Sequence, residues 1–188
     1  IYTYKGENLD YKRRISSGTY GEVFQYASGD TEIAVKISLM EEPWDGDNEP
    51  AIVKKLDKMG LCNTINARVL ENVTPPDQSK AVDRGGQQVV IMNLASGTLD
   101  DLYSYLYKAR DHHGSIRDYI KDIENIEKQL AEICKCLLDK KIGYADFKSA
   151  NTFYKLLVPV SYHQHGEYKI LLGDLGGLCG EKIKNMST

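Results

Sequence analysis

The order of apolar and polar positions divides the chain into a strand-rich first half and a helix-led second half. In "YKRRISSGTYGEVFQYASGDTEIAVKIS" two β-branched or alternating runs are broken by "SSGTYG" and "SGDTE", both turn-forming, which predicts a meander of three antiparallel strands. "EEPWDGDNEP" reads as a loop. "AIVKKLDKM" then places apolar residues at 52, 53, 56 and 59, a helical spacing, with Gly60 as a natural stop. "ARVLENV" and "QQVVIMNLA" read as two further strands around the polar loop "TPPDQSKAVDRGG".

Beyond Gly97 the period changes from two to between three and four. "TLDDLYSYLYKA" opens on a Thr cap and an acidic first turn, a favourable helix entry. From Ser115 to about Asp139, Ile116, Ile120, Ile123, Ile126, Leu130, Ile133 and Leu137 recur every three or four residues, which predicts one long helix with a buried stripe. "NTFYKLLVPV" and "EYKILL" read as a closing hairpin with "SYHQHG" at its tip. His163 and His165 in that tip have no third ligand in view and read as solvated loop residues. The expected fold class is α+β, with residues 1–95 forming a sheet-based part and residues 96–188 a helical one.

Composition narrows the function classes. A net charge of −3, with basic residues spread out and no aromatic-plus-basic stripe, argues against nucleic acid as a partner. No apolar run approaches the ~18 residues of a membrane span, and the polar opening "IYTYKGENLDYKRR" is no signal peptide. These features argue against a membrane partner and for a cytoplasmic protein. The four cysteines, Cys62, Cys134, Cys136 and Cys179, match neither a disulfide framework nor a zinc knuckle, so free thiols in a reducing compartment are expected. Because the sequence opens on Ile rather than Met, it reads as a piece of a longer or processed protein.

The chemistry lies in "YADFKSAN", where Asp146, Lys148 and Asn151 crowd into one short loop. Together with "ISSGTYGEVF", "IAVK", "NEPAIVKKL", "VVIMNLASGTLDDL" and "GDLGG", taken in this order, the chain resembles a divergent, reduced protein kinase from about Ile15 to Gly176. The resemblance implies a bilobal fold with an antiparallel-sheet N-lobe and a short helical C-lobe. It also implies a set of site residues. Gly18 and Gly21 would remain of a glycine-rich phosphate loop in which Ser16 replaces the first glycine. Lys36 would bind the α- and β-phosphates of ATP and be held by Glu49. Pro50 places that glutamate at a helix entrance rather than in mid-helix. Met92 would guard the rear of an adenine pocket lined by Val23, Ala34 and Phe153.

In the same resemblance Asp146 is the catalytic acceptor of the substrate hydroxyl proton, and Lys148 stabilises the γ-phosphate. Asn151 and Asp174 hold Mg²⁺. Lys148 resembles the lysine of Ser/Thr-directed enzymes. The implied activity is ATP- and Mg²⁺-dependent phosphorylation of Ser or Thr hydroxyls on a protein substrate. A pseudokinase that regulates a partner protein and a small-molecule kinase of the same fold are the alternatives.

The sequence departs from the family pattern in further places. Tyr144-Ala145 stand where His-Arg is usual, which removes the cation that receives a phosphorylated activation loop and implies constitutive organisation or control by a partner. Tyr144 would take the structural place of the His and pack against Leu175. Asn151 and Asp174 are 23 residues apart, a long separation that the hairpin tip absorbs. Finally, twelve residues follow Gly176 and no Ala-Pro-Glu occurs, so the sequence reads either as a fragment or as similar to the small kinases of viruses and bacterial effectors, for which a host-cytoplasm setting is expected.

Overall fold

A computed structural model describes residues 3–4, 7–17, 21–38, 49–56, 62–64, 67–73, 87–111, 116–161 and 166–180. Gly18, Gly60, His163 and His165 lie outside these residues. The chain divides into two compact units, one made of Ile1–Gly60 with Asn66–Leu94 and the other of Leu61–Ile65 with Ala95–Met186.

In the first unit, β1 (Thr3–Tyr4) pairs with β2 (Glu7–Asn8). A five-stranded antiparallel sheet follows, built from β3 (Asp10–Ser17), β4 (Gly21–Ser28), β5 (Thr31–Ser38), β6 (Ala67–Val73) and β7 (Gln87–Asn93) in the order β3-β4-β5-β7-β6. The meander of β3 to β5 follows from the two turns read in the sequence, and Gly29 in the second turn has a positive φ of 58°. Period-two alternation sends Phe24, Tyr26, Ile33, Val35, Ile37, Val89 and Ile91 into one apolar cluster that Leu9 completes. Helix α1 (Glu49–Leu56) buries Ile52, Val53 and Leu56 and packs against β6 and β7. It begins at Glu49, with Pro50 inside the first turn, where a missing N–H costs nothing.

The second unit carries β8 (Gly97–Thr98), α2 (Leu99–Asp111), α3 (Ile116–Asp139), β9 (Gly143–Tyr144), β10 (Thr152–Val158), β11 (Glu167–Leu172) and β12 (Leu178–Cys179). Strands β11, β10 and β8 form one antiparallel sheet in that order, and β12 pairs with β9. A reciprocal cap starts α2: the Thr98 hydroxyl accepts from the Asp101 N–H at 3.3 Å, and the Asp101 carboxylate accepts from the Thr98 N–H at 2.9 Å.

Helix α3 is as long as its periodicity predicts, but its stripe is only partly covered. Ile126, Ile133 and Leu137 are buried, whereas Ile116 is 77% and Ile120 49% exposed. The first turns of α3 bury a charge pair instead. Arg110 of α2 donates from Nε and Nη2 to the two carboxylate oxygens of Asp122 at 2.8 and 3.2 Å, and both residues are buried. This two-pronged geometry, with Asp122 as hydrogen-bond partner, raises the Arg110 pKa above its ordinary value despite burial. Further along α3, the Gln129 side chain accepts from the Ile170 N–H at 2.8 Å and donates to the Tyr168 carbonyl at 3.1 Å.

The cysteine expectation is corrected. Cys62 and Cys136 are joined in a disulfide with their Cα atoms 5.7 Å apart, while Cys134 and Cys179 are free and exposed. The partners are 74 residues apart in sequence, so no local spacing betrays them. The fold makes the pair by laying residues 62–64 alongside β11 and next to α3. Closing a loop of this length removes unfolded-state entropy worth about 4 kcal/mol. The reducing compartment inferred from free thiols loses that support. Among the described residues, no helix is long and apolar enough to cross a membrane.

Candidate active site

The predicted site residues fall into two groups, one within each unit. In the first unit the register pairs Val23 with Lys36, Ala34 with Met92 and Lys36 with Val90. Directly opposed residues of an antiparallel pair project to the same face. Val23, Ala34, Lys36 and Met92 therefore share one face of the sheet, opposite the face that carries Phe24, Val35 and Ile91. Ala34 is buried, and Val23, Lys36 and Met92 are half-buried.

Lys36 Nζ lies 2.6 Å from Glu49 Oε2, with side-chain exposures of 20% and 7%. The sheet fixes the lysine and the first turn of α1 fixes the glutamate, so the ion pair is held by two rigid elements. Gly21 begins β4 opposite Ser38, directly after the segment that contains Gly18.

In the second unit the predicted residues of the 146–151 loop converge on one oxygen. Asp146 Oδ2 accepts from Asn151 Nδ2 at 2.8 Å and lies 3.1 Å from Lys148 Nζ. The same amide donates to the Asp146 carbonyl at 3.0 Å, which curls the loop around Asn151. Hydrogen bonds from Lys148 first, and then from Asn151, pull the Asp146 pKa below its usual 3.8. A 3-10 turn (Ser149–Asn151) leads into β10, and the Ser149 hydroxyl donates to Asp100 at 2.9 Å, tying the turn to the start of α2. Phe153, on β10, is half-buried and pairs with Thr98 and Leu171.

Asp174 follows β11 in a left-handed conformation, φ 48° and ψ 64°. A non-glycine residue held there costs roughly 1–2 kcal/mol and persists only where its surroundings impose it. Several bonds do so. The Gly173 N–H donates to the Asn151 carbonyl at 3.1 Å, and the Gly177 N–H donates to the Asp174 carbonyl at 3.0 Å. The Tyr144 hydroxyl donates to the carbonyls of Gly173 at 2.6 Å and Asp174 at 3.2 Å. Its ring meets Phe147 edge-on and lies so close to Gly177 that a Cβ there would come within 2.8 Å. Asn151, Asp174 and Tyr144 thus form one connected assembly. The hydroxyl role of Tyr144 had only one sequence signal, its place before the Asp146 loop. Asp100 and Gln129 had none.

Among the described residues, no three or more His, Cys, Asp or Glu side chains gather as a metal site. The donors present are instead a carboxylate at 174 and an amide at 151. This hard, oxygen-bearing pair suits Mg²⁺, which takes few protein ligands and completes its shell with water and phosphate oxygens. With Nδ2 committed to Asp146, Oδ1 is the end of the Asn151 amide that remains for a metal.

No protein-family model and no curated protein matches the sequence. The fold, by contrast, is widely shared, with 861 chains of solved structure matching it. One is the crystal structure of the BubR1 kinase domain, with a TM-score of 0.66 and 17% identity over 97% of this chain. The chain has a protein-kinase-like fold. It spans half the length of that kinase domain.

Proposed function

We propose that this kinase-like chain is an ATP- and Mg²⁺-dependent phosphotransferase directed at Ser or Thr hydroxyls of a protein substrate. The observation that carries the reading is the convergence of Lys148 and Asn151 on the Asp146 carboxylate, in a loop bonded through Asn151 to the Gly173–Asp174 turn. Phosphoryl transfer asks little covalent chemistry of a protein. It needs a positioned hydroxyl, a cation for the moving phosphoryl group and fixed metal ligands.

In this reading Asp146 orients the acceptor hydroxyl and takes its proton. Like any carboxylate at or below the ordinary value, it is ionised at neutral pH and can accept a hydrogen bond from the hydroxyl. Lys148 supplies positive charge to the γ-phosphoryl oxygens as charge builds there. Asn151 Oδ1 and the Asp174 carboxylate would hold Mg²⁺, which neutralises phosphate charge when bound. Lys36, kept in place by Glu49, would bind the α- and β-phosphates, and Val23, Ala34 and Met92 offer an apolar sheet face to adenine. Gly18, Gly21 and Phe153 keep the phosphate-loop and pocket roles that the kinase resemblance gives them. A cytoplasmic setting, where ATP is present, belongs to the same proposal.

The test is ATP turnover with protein acceptors, comparing the wild type with Asp146→Ala. A large loss in the variant supports the assignment, and equal rates discard it. Nucleotide binding without transfer to any acceptor would make the chain a pseudokinase binding module instead.

A further inference from the structure

We propose that the Cys62–Cys136 disulfide is a redox-operated tether on the Asp174 turn, closed when oxidised and opened by a dithiol reductant. Its regulatory meaning rests on Asp174 being a metal ligand, as in the proposed function; the tether itself rests on bonds within the second unit.

Three segments hold the approach to Asp174. Strand β10 flanks Leu172 on one side, with Thr152 opposite it, and the Asn151 carbonyl accepts from the Gly173 N–H. Tyr144, on β9, holds the carbonyls of Gly173 and Asp174. Residues 62–64 form the third rail: the Asn63 carbonyl accepts from the Leu172 N–H at 2.8 Å, and Thr64 makes a parallel bridge to Leu172.

The first two rails belong to strands with their own ladders. The third has no strand behind it among the described residues. Among the described residues it offers the parallel bridge, of which the Leu172–Asn63 hydrogen bond is part, and a covalent link from Cys62 to α3. Asn63 also sits at a positive φ of 45°, a conformation that a released segment would leave readily. Of these the disulfide is the covalent hold on the rail. Both cysteines are half-buried rather than enclosed, so an attacking thiolate can reach them.

The chemistry is ordinary thiol–disulfide exchange. A reductant thiolate attacks one sulfur, breaking the Cys62–Cys136 bond and leaving a mixed disulfide with one cysteine and a thiolate on the other. The second thiol of the reductant then displaces that cysteine, so the reductant departs as a cyclic disulfide. Two electrons pass to the two cysteines, and two protons from the dithiol complete their thiols. Opening the bond frees residues 62–64 from α3, exposes the Leu172 N–H and loosens the turn that carries Asp174.

The full chain, purified without reductant, is treated with or without dithiothreitol, alkylated and weighed. Two alkylated cysteines are expected without reductant and four with it. In parallel, amide exchange followed by NMR should show Leu172 accelerating roughly tenfold on reduction, with Tyr154 in mid-β10 unchanged. ATP turnover should fall in the reduced protein. Cys62→Ser should exchange like the reduced wild type and ignore dithiothreitol; the wild-type pair of measurements decides if that variant does not fold. Four alkylated cysteines without reductant, or a Leu172 rate indifferent to reductant, overturn the tether. Faster Leu172 exchange with unchanged turnover overturns its regulatory role. Absence of turnover in both states counts against the kinase reading, while the Leu172 rate still decides the tether.

Discussion

The Lys36–Glu49 pair and the Asp146–Lys148–Asn151 cluster are both built on a lysine and a carboxylate, yet they are held in opposite ways. Lys36 and Glu49 are mostly buried, on a central strand and a helix start, and their geometry is imposed by the sheet and the packing of α1. Asp146 and Lys148 are over half exposed, in a loop, and their geometry comes from short-range hydrogen bonds. A phosphate-binding lysine needs a fixed place, whereas an acceptor that meets an incoming hydroxyl must remain open to it. The contrast predicts that the buried pair contributes to stability as well as function, and that the exposed cluster contributes to function almost alone.

The sharpest test is Asp146→Ala, expected to lower turnover by roughly 10²–10⁴-fold while leaving the melting temperature of the wild type unchanged. A large drop in melting temperature would erase the contrast. Arg110–Asp122 provides a buried reference pair that the proposed chemistry does not use. Asp122→Ala leaves a guanidinium buried and unpaired and should cost about 3–5 kcal/mol in urea unfolding. Glu49→Ala should fall between these cases, losing about 2 kcal/mol together with nucleotide affinity, read by calorimetry with ATP and Mg²⁺. Tyr144→Phe removes one hydroxyl from the Asp174 turn and should cost about 1 kcal/mol, with a larger proportional loss of turnover than of ATP affinity.

The smallest effects are those of pH. Asp146 has a folded pKa below its unfolded value, so its stabilising contribution is complete above the usual 3.8 and disappears only as pH falls through the lower folded value. An NMR titration should place its midpoint below 3.8 in the wild type and higher in Lys148→Ala. In the sheet unit, burial and the neighbouring Tyr11 push Tyr26 up to about 12 from 10.0. The sign is reversed there: stability is complete below 10.0 and declines as pH rises toward 12, which urea unfolding at alkaline pH would show.

Local periodicity made the meander, α1, both long helices and the β10–β11 hairpin legible, because each is encoded within a few turns or strands of its own residues. The proline after Glu49 foretold a helix entrance, and α1 indeed starts at that glutamate. The close grouping of Asp146, Lys148 and Asn151 was visible as spacing, but the shared carboxylate oxygen was not. What the sequence hid depends on long-range neighbours. The Cys62–Cys136 bond spans 74 residues. The apolar stripe of α3 overshoots because tertiary packing covers only its later turns, while the pairing of Asp122 with Arg110 has no local signal. The hydroxyl of Tyr144 acquires its role only once β9 and the Asp174 turn are side by side.

Gln129 has a consequence of a different kind. Strand β11 is the margin of its sheet, and a margin of unpaired amides invites a foreign strand to dock. The carboxamide of Gln129 satisfies Tyr168 and Ile170, and Asn63 satisfies Leu172, so a helix side chain and a short loop together act as a stopper along the hairpin's rim. Stripping that stopper would turn the rim into a template, and the chain would be driven toward self-association long before it lost its fold.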